Sequence, residues 1–280
     1  MIIVNNLVKK YNNKLILDIN NIELSNGVIY GIIGDNGSGK STLMKCLTNL
    51  VDYSGDICFD DKSIKKYPEI LKGVGLIIET PMFYNDFTAI QNLEYFLPEN
   101  RDSNMILKRL GLDNVSTNKV KTYSLGMKQK LAIALACLKG TKLIILDEPF
   151  NGLDVNSVKV VVDLLLEEKQ KGKTIIVSSH MPKTINKLCD VVYKIENKTL
   201  TNIKNNHSSK KYLLTFDSIL NLENARKFLL DTYNLPIYSM GFDLVVDCHD
   251  INEFKTILKQ MVDYNMISYE EMSQELEAMF

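Results

Sequence analysis

Gly34-Asp35-Asn36-Gly37-Ser38-Gly39-Lys40-Ser41 follows the apolar run Val28–Ile33 (VIYGII) and opens the amphipathic run Ser41–Leu50. The first run is short and bounded, so it reads as a strand. The second has helical periodicity. A strand that turns through G-x-x-x-x-G-K-[ST] into a helix is built to cradle phosphate. Its glycines let the backbone curl until several N–H groups face inward, and the helix N-terminus adds partial positive charge. Lys40 is then placed for β- and γ-phosphates, and the Ser41 hydroxyl for Mg²⁺.

Working outward, Val74–Ile78, Leu143–Leu146 and Thr174–Ser178 are further short, nearly all-apolar runs. Strands of that kind are buried on both faces, as in a parallel sheet covered by helices. Helical periodicity fills the gaps at Thr88–Leu97, Leu125–Lys139 and Val155–Lys171. Two of the strands end in chemistry. Leu143–Leu146 runs into Asp147-Glu148-Pro149, and Thr174–Ser178 runs into Ser179-His180. The C-terminal ends of strands in an open α/β sheet are where ligands bind. Asp147 is the natural Mg²⁺ partner, and Glu148 can orient and polarise an attacking water. A lone histidine is more often structural, but at this strand end His180 also fits a contact with a γ-phosphate.

The order and spacing of these segments resemble ABC ATPases over about residues 1–204. GDNGSGKST (with Gly34, Asn36, Gly37, Ser38, Gly39, Lys40, Ser41 and Thr42) resembles the Walker A loop. LIILDEP resembles Walker B followed by the catalytic glutamate. Asn151-Gly152-Leu153-Asp154 resembles the D-loop, and His180 falls at the switch histidine. Tyr11, by itself an ordinary surface tyrosine, matches the aromatic that stacks on adenine. Tyr123-Ser124-Leu125-Gly126-Met127-Lys128-Gln129 stands at the signature, with Leu125 and Met127 departing from the common S-G-G-Q. Ser124 also reads as an N-cap, and Ser124 and Gly126 open a helix whose N-terminus is an anion site. A second departure is Glu79, where most relatives carry Gln about forty residues after the lysine. Together with S-L-G-M-K-Q and Asp86–Leu93, it is similar to the bacitracin-resistance and lantibiotic-immunity branch.

The resemblance implies an α/β P-loop NTPase fold: a mostly parallel core sheet, an antiparallel N-terminal β subdomain and a helical insert at about residues 80–140. It implies ATP and Mg²⁺, with Ser41, Glu79 and Asp147 near the metal. Lys40, Glu148 and His180 act on the reaction. Tyr11, Ser124, Gly126, Gln129 and Asp154 join the loop in holding nucleotide. It implies a head-to-tail pair of chains, each closing the other's site with Ser124–Gly126. It also implies an integral membrane permease that holds this chain on the cytoplasmic face. The insert is where relatives meet that permease, and Phe83, Tyr84 and Phe87 read there either as exposed contacts or as local core.

Composition restricts the alternatives. Residues 1–207 carry 27 Lys/Arg against 22 Asp/Glu, and residues 208–280 carry 6 against 12. The acidic C-terminal part argues against nucleic acid as a partner, which needs clustered cations. The five cysteines (Cys46, Cys58, Cys137, Cys189, Cys248) form no C-x-x-C pair and read as reduced thiols of a cytoplasmic protein. MIIVNNLVKKY, with no long apolar core after a basic start, does not read as a signal peptide, and Leu131–Leu138 is far short of a membrane span. A single phosphate loop disfavours a soluble twin-cassette ATPase. The absence of sustained heptads disfavours a chromosome ATPase. After a polar stretch read as a linker (205–211, within Asn202–Lys211), the pattern restarts at 212–280. It reads there as a small α+β domain of β-α-β-β-α-β order, regulatory or dimer-supporting.

Overall fold

The computed structural model describes residues 1–79, 82–97, 103–205, 210–233, 237–248 and 251–272. They divide into two compact units, Met1–Lys204 and Asn205–Phe280.

The first unit starts with a hairpin of β1 (Ile2–Tyr11) and β2 (Lys14–Leu24). Its two-residue turn is Asn12-Asn13, both at positive φ (46° and 63°), which suits the twist of a tight hairpin. β3 (Ile29–Ile33) leads through the glycine loop to α1 (Lys40–Leu47). The helix stops short of the Leu50 expected from periodicity, because Asn49 turns to φ 54°. β4 (Ser54–Phe59) and β5 (Lys62–Ser63) complete an antiparallel sheet of order β2-β1-β4-β5. β6 (Val74–Ile77) precedes a helical insert of α2 (Ala89–Phe96), α3 (Ser103–Arg109) and α4 (Leu125–Lys139). Thr88 and Gln91 form a reciprocal capping box on α2. Then come β7 (Leu143–Leu146), α5 (Val155–Gln170), β8 (Thr174–Ser178), α6 (Pro182–Leu188), β9 (Val191–Glu196) and β10 (Thr199–Asn205).

The core sheet has the order β10-β9-β3-β8-β7-β6, with β9-β3, β3-β8, β8-β7 and β7-β6 all parallel. β7 and β8 are buried along their whole length. Alternate residues feed two cores, as a period of two requires. Ile144, Leu146, Ile175 and Val177 pack with Val161 and Leu165 of α5. Leu143, Ile145 and Ile176 pack with Leu43, Met44 and Leu47 of α1 and with Leu7, Leu17 and Ile57 of the antiparallel sheet. Each such aliphatic side chain contributes roughly 1.5–3 kcal/mol by leaving water. The insert has its own core of Leu93, Leu107, Val120, Tyr123 and Leu131.

The stretch read as a linker is partly strand. Asn202–Asn205 belongs to β10, and Lys210–Lys211 opens β11 (Lys210–Phe216); residues 206–209 lie outside the described ones. β10 is a sheet edge whose residues 201–203 are exposed, so it lacks the alternation that marks a half-buried strand. The second unit continues with α7 (Ile219–Thr232), β12 (Ile237–Met240), β13 (Asp243–Cys248), α8 (Ile251–Met261) and β14 (Met266–Glu271). Its antiparallel sheet has the order β12-β13-β11-β14. Leu214, Phe216, Leu244 and Val246 pack there against Leu222 and Leu229 of α7 and Phe254 and Ile257 of α8. All five cysteines are reduced thiols, four of them buried and Cys58 half-exposed.

Candidate active site

Parallel pairing lays four strand ends side by side. Ile32 stands opposite Ser178, Val177 opposite Leu146, and Leu146 opposite Ile77. The glycine loop, His180, the Asp147–Glu148 pair and Glu79 therefore leave the sheet at one edge, in the order β3, β8, β7, β6.

In the loop, Gly37 (φ 79°) and Gly39 (φ 113°) hold backbone conformations that a side chain resists. A Cβ on Gly39 would also lie 2.8 Å from Leu17 Cδ2, so the antiparallel sheet is seated on the loop through this glycine. Gly39 is the N-cap of α1, which leaves the first-turn N–H groups without intrahelical partners. Lys40 is nearly buried, and its Nζ donates to Gly34 O (2.8 Å) and Asp35 O (3.2 Å). Ser38 Oγ is buried with no hydrogen-bond partner. A buried ammonium, an orphaned hydroxyl and a row of unpaired amides fit a polyphosphate. Asn36 is exposed at the loop's tip, and Ser41 and Thr42 are half-exposed on the first turn of α1.

Asp147 is 6 % exposed, and its N–H donates to Ile77 O at 2.8 Å. Ser178 ties the two acids together. Its hydroxyl donates to Asp147 Oδ1 at 2.5 Å and accepts the N–H of Glu148 at 2.8 Å. Glu148 needs such an anchor, since its φ is 48°. Its carboxylate is held from two sides. Oε1 lies 3.9 Å from Lys40 Nζ, while Oε2 meets His180 Nδ1 at 2.9 Å and accepts the His180 N–H at 3.3 Å. The structure thus brings together Lys40, Glu148 and His180, with Asp147 one residue away. Nothing in the sequence singled out Ser178 except a hydroxyl closing the apolar run Ile175–Val177.

Among the described residues no group of three or more His, Cys, Asp or Glu could hold a metal. Ser41 and Asp147 with phosphate oxygens are a donor set that suits Mg²⁺, which takes few protein ligands and keeps several waters. Glu79, the third expected ligand, has its carboxylate on Lys45 Nζ at 2.5 Å. Tyr11 is exposed at the end of β1, with Lys9 Nζ 4.3 Å from its ring centroid.

The signature residues pack elsewhere. Ser124 is the N-cap of α4, its Oγ accepting the Met127 N–H at 3.2 Å. A Cβ on Gly126 would lie 2.7 Å from Gly152 O, so the first turn of α4 rests against the loop after β7. Gln129 is buried on α4. Asp154 is the N-cap of α5 and accepts both the N–H and the hydroxyl of Ser157, which hold its carboxyl below the usual range. Among the described residues no hydrogen bond or ion pair joins Ser124, Gly126 or Asp154 to residues 34–41. On the insert, Tyr84 packs against Phe87 (5.1 Å) and edge-on against Tyr95 (4.9 Å). Tyr84, Phe87 and Tyr95 are exposed, as is Met82 at 88 %, whereas Phe83 packs into the core.

Comparison with known proteins agrees with this geometry. The ABC transporter family model matches residues 17–151. The lantibiotic transport ATP-binding protein SrtF of Streptococcus pyogenes is 37 % identical over 69 % of this chain and 85 % of its own length. The bacitracin transport ATP-binding protein BcrA of Bacillus licheniformis is 35 % identical over 81 % of this chain and 77 % of its own length. A solved ATP-binding subunit of an ABC transporter shares the fold, with a TM-score of 0.67 at 22 % identity, over 94 % of this chain and 99 % of that one. The chain belongs to the ATP-binding, ATP-hydrolysing subunits of ABC transporters.

Proposed function

We propose that this subunit powers export of a peptide antibiotic or similar hydrophobic compound through a separate membrane permease, and that two copies share each ATP. The observation that carries the ATPase reading is the Glu148 carboxylate held between the Lys40 ammonium and His180. Lys40 gives up its bonds to Gly34 and Asp35 carbonyls for the β- and γ-phosphates. Glu148, freed from Lys40, orients and polarises a water. His180 keeps that carboxylate aimed and marks whether the terminal phosphate is present. Mg²⁺, when bound by Ser41 and Asp147, neutralises charge between the phosphates.

Gly126 packs against Gly152, and among the described residues neither it nor Ser124 bonds to residues 34–41, which supports supply of the signature helix by a second copy. ATP then stabilises the closed pair by mass action, and loss of the γ-phosphate contacts releases it. The exposed Met82, Tyr84, Phe87 and Tyr95 support a permease docking surface on the insert. No helix among the described residues is long and apolar enough to cross a membrane. We place the chain peripherally on the cytoplasmic face, held there by the permease, and the acidic 208–280 stretch disfavours nucleic acid as a partner. The substrate class rests on likeness to the lantibiotic transport protein SrtF and the bacitracin transport protein BcrA. The 212–280 region is assigned a regulatory or dimer-supporting role. A non-transport regulatory ATPase is the competing reading. Affinity purification from membranes in mild detergent separates the two. The proposal expects a multi-span membrane protein in the eluate, lost in Tyr95→Asp, with ATPase activity that responds to lantibiotic or bacitracin. A wholly soluble eluate with ATPase unaffected by either compound overturns it.

A further inference from the structure

Glu79 and Lys45 belong to segments that flank the expected metal site. Lys45 lies four residues after Ser41 on α1, one turn along the same face. Glu79 lies two residues after Ile77, whose carbonyl accepts the Asp147 N–H at 2.8 Å. A carboxylate leaving β6 there has two positive centres within its region: a cation held by Ser41 and Asp147, or the Lys45 ammonium. The structure has it on Lys45, Nζ to Oε1 at 2.5 Å. Glu79 holds φ 63° without being glycine, a conformation kept only where contacts fix it. Lys45 also lies within electrostatic reach of Asp147 and Tyr11, so the pair borders the site. The hydrogen bond that Lys45 donates to Glu79 pushes the Lys45 pKa up despite partial burial.

We infer that Lys45 is a positioning residue that parks the Glu79 carboxylate off the metal site, so that Glu79 reaches the cation only when the pair opens. The inference rests on the nucleotide and Mg²⁺ reading above and deepens it. The Glu79 side chain is 64 % exposed and that of Lys45 26 %. An ion pair this accessible biases an equilibrium by no more than about fivefold. The latch is therefore weak enough to be opened by nucleotide or by a docked permease. Glutamine in place of Glu79 would have neither the charge to be parked nor the charge to deliver.

The test uses the full chain and ADP affinity by calorimetry, in EDTA and in saturating Mg²⁺. The ratio of the two dissociation constants measures coupling between metal and nucleotide. Lys45→Gln frees Glu79 and should raise the ratio roughly two- to fivefold over wild type. Lys45→Gln/Glu79→Gln should match Glu79→Gln. An unchanged ratio in Lys45→Gln overturns the inference. So does the same increase in the double variant, which would assign the effect to the lysine charge alone. Failure of wild type to bind ADP would instead sink the nucleotide reading itself.

Discussion

The hydroxyl of Ser178 donates to Asp147 Oδ1 at 2.5 Å from the end of the neighbouring strand, with no solvent access. The same oxygen accepts the Glu148 N–H, so one side chain sets the aim of both acids. Ser178→Ala leaves the buried Asp147 carboxylate and the half-buried Glu148 N–H short of partners, at a cost of roughly 1–3 kcal/mol. We expect turnover to fall at least about tenfold, with a smaller change in KM for ATP, since the catalytic group is misaligned while the phosphate loop is intact. Steady-state kinetics alongside thermal melting checks this. A kcat within twofold of wild type would remove Ser178 from the catalytic arrangement.

Glu148 and Lys40 predict opposite defects. Glu148→Gln keeps size and hydrogen bonding but cannot take charge from water, so turnover should drop by about 100-fold or more with ATP still bound. Lys40→Ala removes the buried ammonium and should cost nucleotide affinity itself. Equilibrium binding of a fluorescent ATP analogue, paired with phosphate release, distinguishes them.

Gly75 predicts a stability effect remote from the chemistry. A Cβ there would lie 1.9 Å from Ala136 O and 3.0 Å from the Gly140 N, both backbone atoms of α4 and its C-terminus. Nothing flexible can yield, so β6 and α4 must separate. Gly75→Ala should destabilise the first unit by about 3 kcal/mol in denaturant unfolding.

Glu168 predicts an acid-labile component. Burial raises its pKa, but hydrogen bonds and charge from Lys171 (2.6 Å) and Lys173 outweigh that and leave it below the ordinary value. A carboxyl depressed on folding stabilises above its unfolded pKa of about 4.3 and ceases to do so as pH falls through its folded value. Glu168→Gln should therefore be less stable by roughly 1–3 kcal/mol at pH 7. The gap from wild type should shrink toward pH 3, as urea unfolding at the two pH values would measure.

Legibility in the sequence followed burial. β3, β7 and β8 could be read from VIYGII, LIIL and TIIVS because both faces are apolar, and the loop and Asp147-Glu148 stood at their ends. The order of strands in the tail could be read from short apolar and aromatic runs between polar stretches, even for β14, whose residues are mostly exposed. β10 could not, because an exposed edge strand such as TLTNIKN carries no alternation. The Lys45–Glu79 pair was hidden for another reason. Its partners are 34 residues apart in sequence and meet only once α1 and β6 are packed. Ser178 showed as a residue but not as a role, since its two bonds exist only in the register of β7 with β8.

The central claim is that the terminal phosphate of ATP is completed by Ser124 and Gly126 of another copy. Sedimentation velocity of Glu148→Gln, with and without ATP and Mg²⁺, tests it most directly. The account predicts a monomer without nucleotide and a dimer with ATP, reverting to monomer when Ser124→Arg is added although ATP remains bound. A chain that binds ATP to saturation yet stays monomeric, or a dimer indifferent to Ser124→Arg, would contradict it.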